Sequence, residues 1–205
     1  MTDYFALLNE PRRPWIDPDS LKQKFLGLSA EVHPDRVHNS GDSEKQRAQE
    51  RYTDLNAAYN CLREPKSRLQ HLLELELGVK PGNVQNIPPD LMDVFLEVSQ
   101  ACRDADAFLA ETATVNSPLL RVQMFERGQE WTGKLTALQK RLNSRHERLM
   151  EELKSIDAGW DAVQKPGETK RTVVLNRLQE LHQLFSYFTR WSGQIQERIV
   201  QISFG

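Results

Sequence analysis

Apolar residues recur every three or four positions along most of this chain, and the breaks in that rhythm divide it into helices. Leu21, Phe25, Leu28 and Val32 form one stripe, opened by Asp17-Pro18 as an N-cap and a first-turn proline. The stripe stops at His33-Pro34-Asp35, because proline lacks an amide donor and disfavours helical geometry in the residue before it. A polar loop follows from Arg36 to Asp42, and Ser43 to Gln46 reads as a capping box for the next helix. That helix carries Ala48, Tyr52, Leu55, Tyr59 and Leu62 on one face and ends near Glu64-Pro65. Two short helices with facing stripes predict an antiparallel hairpin, with the tripeptide displayed at its tip.

Val79 to Pro89 contains Gly82, Asn83, Asn86 and three prolines, and is expected to be a linker. Beyond it Leu91, Phe95, Val98, Cys102, Ala105 and Leu109 alternate by four and three, which is a heptad seam. After a break at Thr112 to Ser117, Pro118 opens a helix with Trp131, Leu135, Leu138, Leu142, Leu149, Leu153 and Ile156 on its seam. The last helix carries Val174, Leu178, Leu181, Phe185, Phe188, Ile195, Ile199 and Ile202. There is no strand signal. The pattern predicts an all-α chain with a helical hairpin in residues 1–78, a linker at 79–89 and an antiparallel three-helix bundle in 90–205.

Apolar residues off the seams are the candidates for recognition. Met92 and Leu96 lie roughly 100° around the helix from the Leu91, Phe95 and Val98 stripe. In an up-down-up bundle Val173 and Leu175 would lie near them, giving an apolar patch at one end. The alternative is that Met92 and Leu96 pack on the linker or the N-terminal part. Leu184, Tyr187 and Trp191 form a second off-seam group, which either extends the core or recognises a partner.

Charge excludes several classes. Formal net charge is -2, with a pI near 6.2, so the chain has no global attraction for nucleic acid or an anionic membrane. No apolar run reaches the roughly 20 residues that span a bilayer, and neither a secretory signal nor a transit peptide is visible, so a cytoplasmic location is expected. Cys61 and Cys102 do not form a metal-type pair and are expected to be small buried apolar residues. His38, His71, His146 and His182 show no ligand spacing and are expected at the surface. With no nucleophile–base signature, phosphate-cradling loop or metal cluster, the chain is expected to be neither an enzyme nor a cofactor protein.

Three segments carry a resemblance: Asp3-Tyr4-Phe5-Ala6-Leu7-Leu8, His33-Pro34-Asp35-Arg36, and Leu55-Asn56-Ala57-Ala58-Tyr59 through Leu62. They resemble the J-domain co-chaperones. Pro65 to Gly78, with Arg68 and His71-Leu72-Leu73-Glu74-Leu75, narrows the resemblance to the HscB type, which serves iron–sulfur cluster assembly. The resemblance implies an N-terminal J-domain that docks on a heat shock protein 70 family chaperone of the HscA/DnaK type and stimulates its ATPase. It implies chaperone contacts at His33, Pro34, Asp35 and Arg36, with Lys22 and Lys24 as a thin basic face on the preceding helix. It also implies that Leu91, Met92, Phe95 and Leu96 bind a client, the iron–sulfur scaffold protein of the IscU type. A J-domain protein of the same fold with another client is the alternative; a purely structural helical adaptor is a further one.

Overall fold

The computed structural model describes residues 2–33, 41–82, 87–163 and 169–204, and every regular element among them is helical. The α-helices are α1 (Tyr4–Leu7), α2 (Pro18–Glu31), α3 (Asp42–Arg63), α4 (Pro65–Leu77), α5 (Met92–Ala113), α6 (Pro118–Ala158) and α7 (Thr169–Phe204). Short 3-10 turns occupy Pro89–Leu91 and Trp160–Val163. Contacts divide the chain into two compact units, neither of them continuous in sequence. The first is Met1–Gly82 with Glu151–Gln183; the second is Asn83–Met150 with Leu184–Gly205.

In the first unit, local polar chemistry sets the helix starts. The Asp3 carboxylate accepts the amides of Phe5 and Ala6 at 3.0 and 3.2 Å and opens α1. Asp17 accepts the Ser20 amide at 2.8 Å and opens α2 at Pro18. Ser43 does not cap α3: it lies inside the helix, whose N-cap is Gly41, with no side-chain hydrogen bond. The Phe25 and Tyr59 rings stack at 4.3 Å, and the His33 ring meets the edge of Tyr52 at 5.6 Å. Moving up α2 therefore means moving down α3, which is the expected antiparallel hairpin. Pro65 begins α4 directly after α3, and Gly78 ends it with φ 71, the left-handed cap that glycine adopts at low cost. Phe5, Leu8, Leu21, Leu55, Leu62, Leu69, Leu72 and Leu73 are buried.

Two buried polar residues of α4 hold the chain ahead of α2. Arg68 donates from Nε to the Pro14 carbonyl at 2.8 Å and from Nη1 to the Leu62 carbonyl at 2.7 Å. Burial pulls its guanidinium down to about 10, against the opposing influence of Asp157. His71 is buried, not at the surface, because its Nε2 accepts the Tyr4 amide at 3.0 Å. His182 is buried as well.

Residues 151–183 complete this unit. The buried Asp157 carboxylate accepts Arg13 Nε at 3.0 Å, Arg13 Nη2 at 2.6 Å and the Trp15 amide at 3.2 Å. Trp160, 2% exposed, donates its indole N–H to the Arg12 carbonyl at 2.7 Å. Arg171 pairs with Glu76. The expected division into 1–78 and 90–205 is thereby corrected: 151–183 contributes its polar anchors and its largest buried side chain to the N-terminal unit.

The second unit has one core, built from Leu91, Val94, Val98, Cys102 and Ala105 on α5 and the turn before it, Leu135, Leu138 and Leu142 on α6, and Phe188, Trp191 and Ile195 on α7. The α5 seam drifts from the strict heptad. Phe108 is buried while Leu109 is half-buried, because a straight helix turns every 3.6 residues and not every 3.5. Arg198 pairs with Asp106 and Arg127 with Glu111 at 2.9 and 2.6 Å, and Arg141 pairs with Glu97. Cys102 is buried and Cys61 half-buried, both as free thiols. Burial pushes Cys61 up to about 11, so it is not a thiolate at neutral pH.

Candidate functional site

The tip of the hairpin is built by the end of α2. The helix stops at Glu31, Val32 caps it, and His33 leaves the helix with its side chain exposed. The Tyr52 ring on α3 supports the imidazole from one side. Pro34, Asp35 and Arg36 lie outside the described residues.

The two lysines of the expected basic face differ. Lys22 is exposed. Lys24 places Nζ 2.8 Å from a Glu10 carboxylate oxygen and 3.2 Å from the Asn9 carbonyl. Asn9 takes φ 53 in the turn after α1, which aims both acceptors at α2. Lys24 therefore ties α1 to α2, and Lys22 is the lysine of the pair whose charge faces solvent.

The four client candidates also separate. Leu91 is 5% exposed and belongs to the core of the second unit, so it cannot offer contact area; this corrects its assignment to a recognition surface. Leu91 ends the 3-10 turn at Pro89–Leu91 and continues the inward-facing seam of α5, as the heptad spacing expects. Phe95 is half-buried, with its ring 6.5 Å from that of Trp191. Met92 and Leu96 are 40% and 54% exposed. The patch expected from Met92, Leu96, Val173 and Leu175 is not a feature of either unit: Leu175 is buried in the first, where Val173 also lies. Of the second off-seam group Trp191 is core, while Leu184 and Tyr187 are half-buried against that core. No group of three or more His, Cys, Asp or Glu side chains among the described residues is arranged to hold a metal ion.

Residues 3–71 match the DnaJ domain family, a span that takes in α1 to α3, the tip and most of α4. The chain is 47% identical over 107 residues to the co-chaperone protein HscB homolog of Azoarcus sp., a match covering 51% of this chain and 60% of the relative. It thus spans well under two thirds of that relative's length. The fold extends the likeness beyond the DnaJ domain. Human co-chaperone protein HscB superposes with a TM-score of 0.61 at 17% identity, covering 100% of this chain and 83% of that one. Chaperone HscB from Vibrio cholerae superposes with a TM-score of 0.52 at 17% identity, covering 97% and 99%. Sequence and fold agree on an all-α chain whose residues 3–71 match the DnaJ domain family and whose fold is similar to that of HscB proteins. The anchors Arg68, His71 and Asp157 were not foreseen, because their partners lie 54, 67 and 144 residues away.

Proposed function

We propose that this protein is a co-chaperone that stimulates the ATPase of a heat shock protein 70 family chaperone and delivers to it the scaffold protein of iron–sulfur cluster assembly, in the cytoplasm. The observation that carries the reading is the DnaJ domain at residues 3–71 in a chain similar to HscB homologs. The protein then performs no chemistry itself. His33, emerging from α2 against Tyr52, orients the tip. Asp35 offers a carboxylate to a basic group of the chaperone, a charge-assisted hydrogen bond, while Pro34 restricts the loop and Arg36 and Lys22 add positive charge. Met92, Leu96 and the outer edge of Phe95 present apolar area to the client. Among the described residues no helix is long and apolar enough to cross a membrane, which suits exchange between soluble partners.

The test is single-turnover ATP hydrolysis by the chaperone, with and without this protein. Stimulation is expected, and His33→Gln or Asp35→Asn should abolish it with an unchanged circular dichroism spectrum. A folded variant that stimulates fully would overturn the reading.

A further inference from the structure

The second unit contains a cavity of about 450 Å3, at the opposite end of α5 from Met92 and Leu96. It lies where the end of α5, the start of α6 and the end of α7 meet. Phe108, Met124, Phe125 and Ile202 supply apolar walls, Asn116 and Gln129 line it with polar groups, and Arg121, exposed to solvent, lines it as a cation. Its volume falls in the range of sites for small organic ligands, roughly 300–1,000 Å3.

Charge separates Arg121 from its neighbours. Arg127 and Arg198, at the same end of the unit, each grip a carboxylate with two nitrogens, Glu111 and Asp106 respectively. Arg121 forms no salt bridge among the described residues; its one hydrogen bond is a long one, 3.4 Å from Nε to the Val115 carbonyl. Its guanidinium fork is left with donors for an external anion. Around it, Leu119, Leu120, Val122 and Phe125 in the first turns of α6 are 44% to 72% exposed. This is more apolar surface than helix formation or core packing requires, and it adjoins a cavity with one uncommitted positive charge.

We propose that this cavity binds a small amphipathic carboxylate: an unbranched apolar chain enters between Phe108, Met124 and Ile202, and its carboxylate meets Arg121. An amphipathic carboxylate uses both features: its chain covers the aromatic walls, and its carboxylate pairs with the exposed Arg121, a modest gain in solvent. The Phe125 ring, 68% exposed, would cover the chain at the mouth.

Decanoate and decanol, titrated calorimetrically into the whole 205-residue chain below their self-association limits, test this. Decanoate should bind saturably at one site, and decanol about fivefold more weakly, the upper end for an exposed ion pair. Arg121→Gln should erase the difference between acid and alcohol. Gly128→Ala gives a second reading. Its new methyl would stand 3.5 Å from Ile202 Cγ2 and 3.8 Å from Phe108, ordinary contacts that the fold tolerates, and by narrowing the cavity it should weaken both ligands. Absence of saturable decanoate binding would overturn the proposal. So would equal binding of acid and alcohol by the native protein, or an unchanged preference in Arg121→Gln.

Discussion

Asp157→Ala is the perturbation whose cost the structure defines best. The Asp157 side chain is 8% exposed and takes two nitrogens of Arg13 and the Trp15 amide. It also opposes the charge of Arg68, a residue only 2% exposed. Removing one member of a buried pair costs about 3–5 kcal/mol, because the remaining charge stays desolvated. Arg13 is 33% exposed and can recover water, which discounts its share. Arg68 cannot. The net expectation is a loss of about 2–4 kcal/mol. For a chain of this size that lowers the melting temperature by about 5–15 °C. Differential scanning calorimetry with circular dichroism at neutral pH reads it directly. Arg13→Met with Asp157→Leu should recover part of the loss, since apolar replacement of both partners removes the stranded charge at Arg13. A melting point for Asp157→Ala within about 1 °C of the native value would show that the network contributes nothing, and the reasoning would fail.

Three further outcomes follow from other sites. Burial holds the His71 and His182 imidazoles below their ordinary value of 6.5, so the unfolded chain binds more protons than the native one just below that pH. Their contribution to stability is therefore complete above about pH 6.5 and shrinks on acidification toward pH 5; urea melts across that range should show a slope that His71→Gln reduces, and a flat profile would contradict it. Met92→Ala with Leu96→Ala should leave the melting temperature nearly unchanged while weakening scaffold binding in calorimetry, whereas Leu135→Ala, in the core, should cost about 2–5 kcal/mol. Association with the chaperone should slow as salt rises, shallowly; in stopped-flow at low salt Lys22→Ala should slow it more than Lys24→Ala, because the Lys24 ammonium is already held 2.8 Å from Glu10.

Local chemistry made the hairpin legible. Pro34 announces a helix end and Asp17-Pro18 a helix start, and both α2 boundaries agree. Helical periodicity located α3, α5, α6 and α7, whereas Pro65 to Gly78, which forms α4, entered only through the resemblance. Features decided by distant neighbours were not legible. Nothing near His71 in sequence says that its imidazole will cap the Tyr4 amide, and nothing near Asp157 says that Arg13 will reach it. Ser43 illustrates the converse failure: the residue types of a capping box were present, but α3 starts at Asp42 and the motif falls inside the helix. At the proposed client surface, exposure of Met92 and Leu96 followed from the helical wheel, and so did the burial of Leu91, which the heptad seam placed in the core although the resemblance placed it among the client contacts.

The interleaving of the two compact units bears on how the chain can be made and cut. Taken in order along the polypeptide, the segments alternate: first unit to Gly82, second to Met150, first again to Gln183, second to the end. On the ribosome the opening 82 residues emerge well before Glu151–Gln183, so Arg13 and the Arg12 carbonyl must await Asp157 and Trp160. No single truncation can remove one unit and leave the other whole. Cutting after Gly82 strips the first of its Asp157 anchor, and cutting after Met150 takes from the second the α7 residues Phe188, Trp191 and Ile195. Swapping the bundle for that of another protein would thus require a splice at three points, at Gly82, Met150 and Gln183, instead of one in the linker.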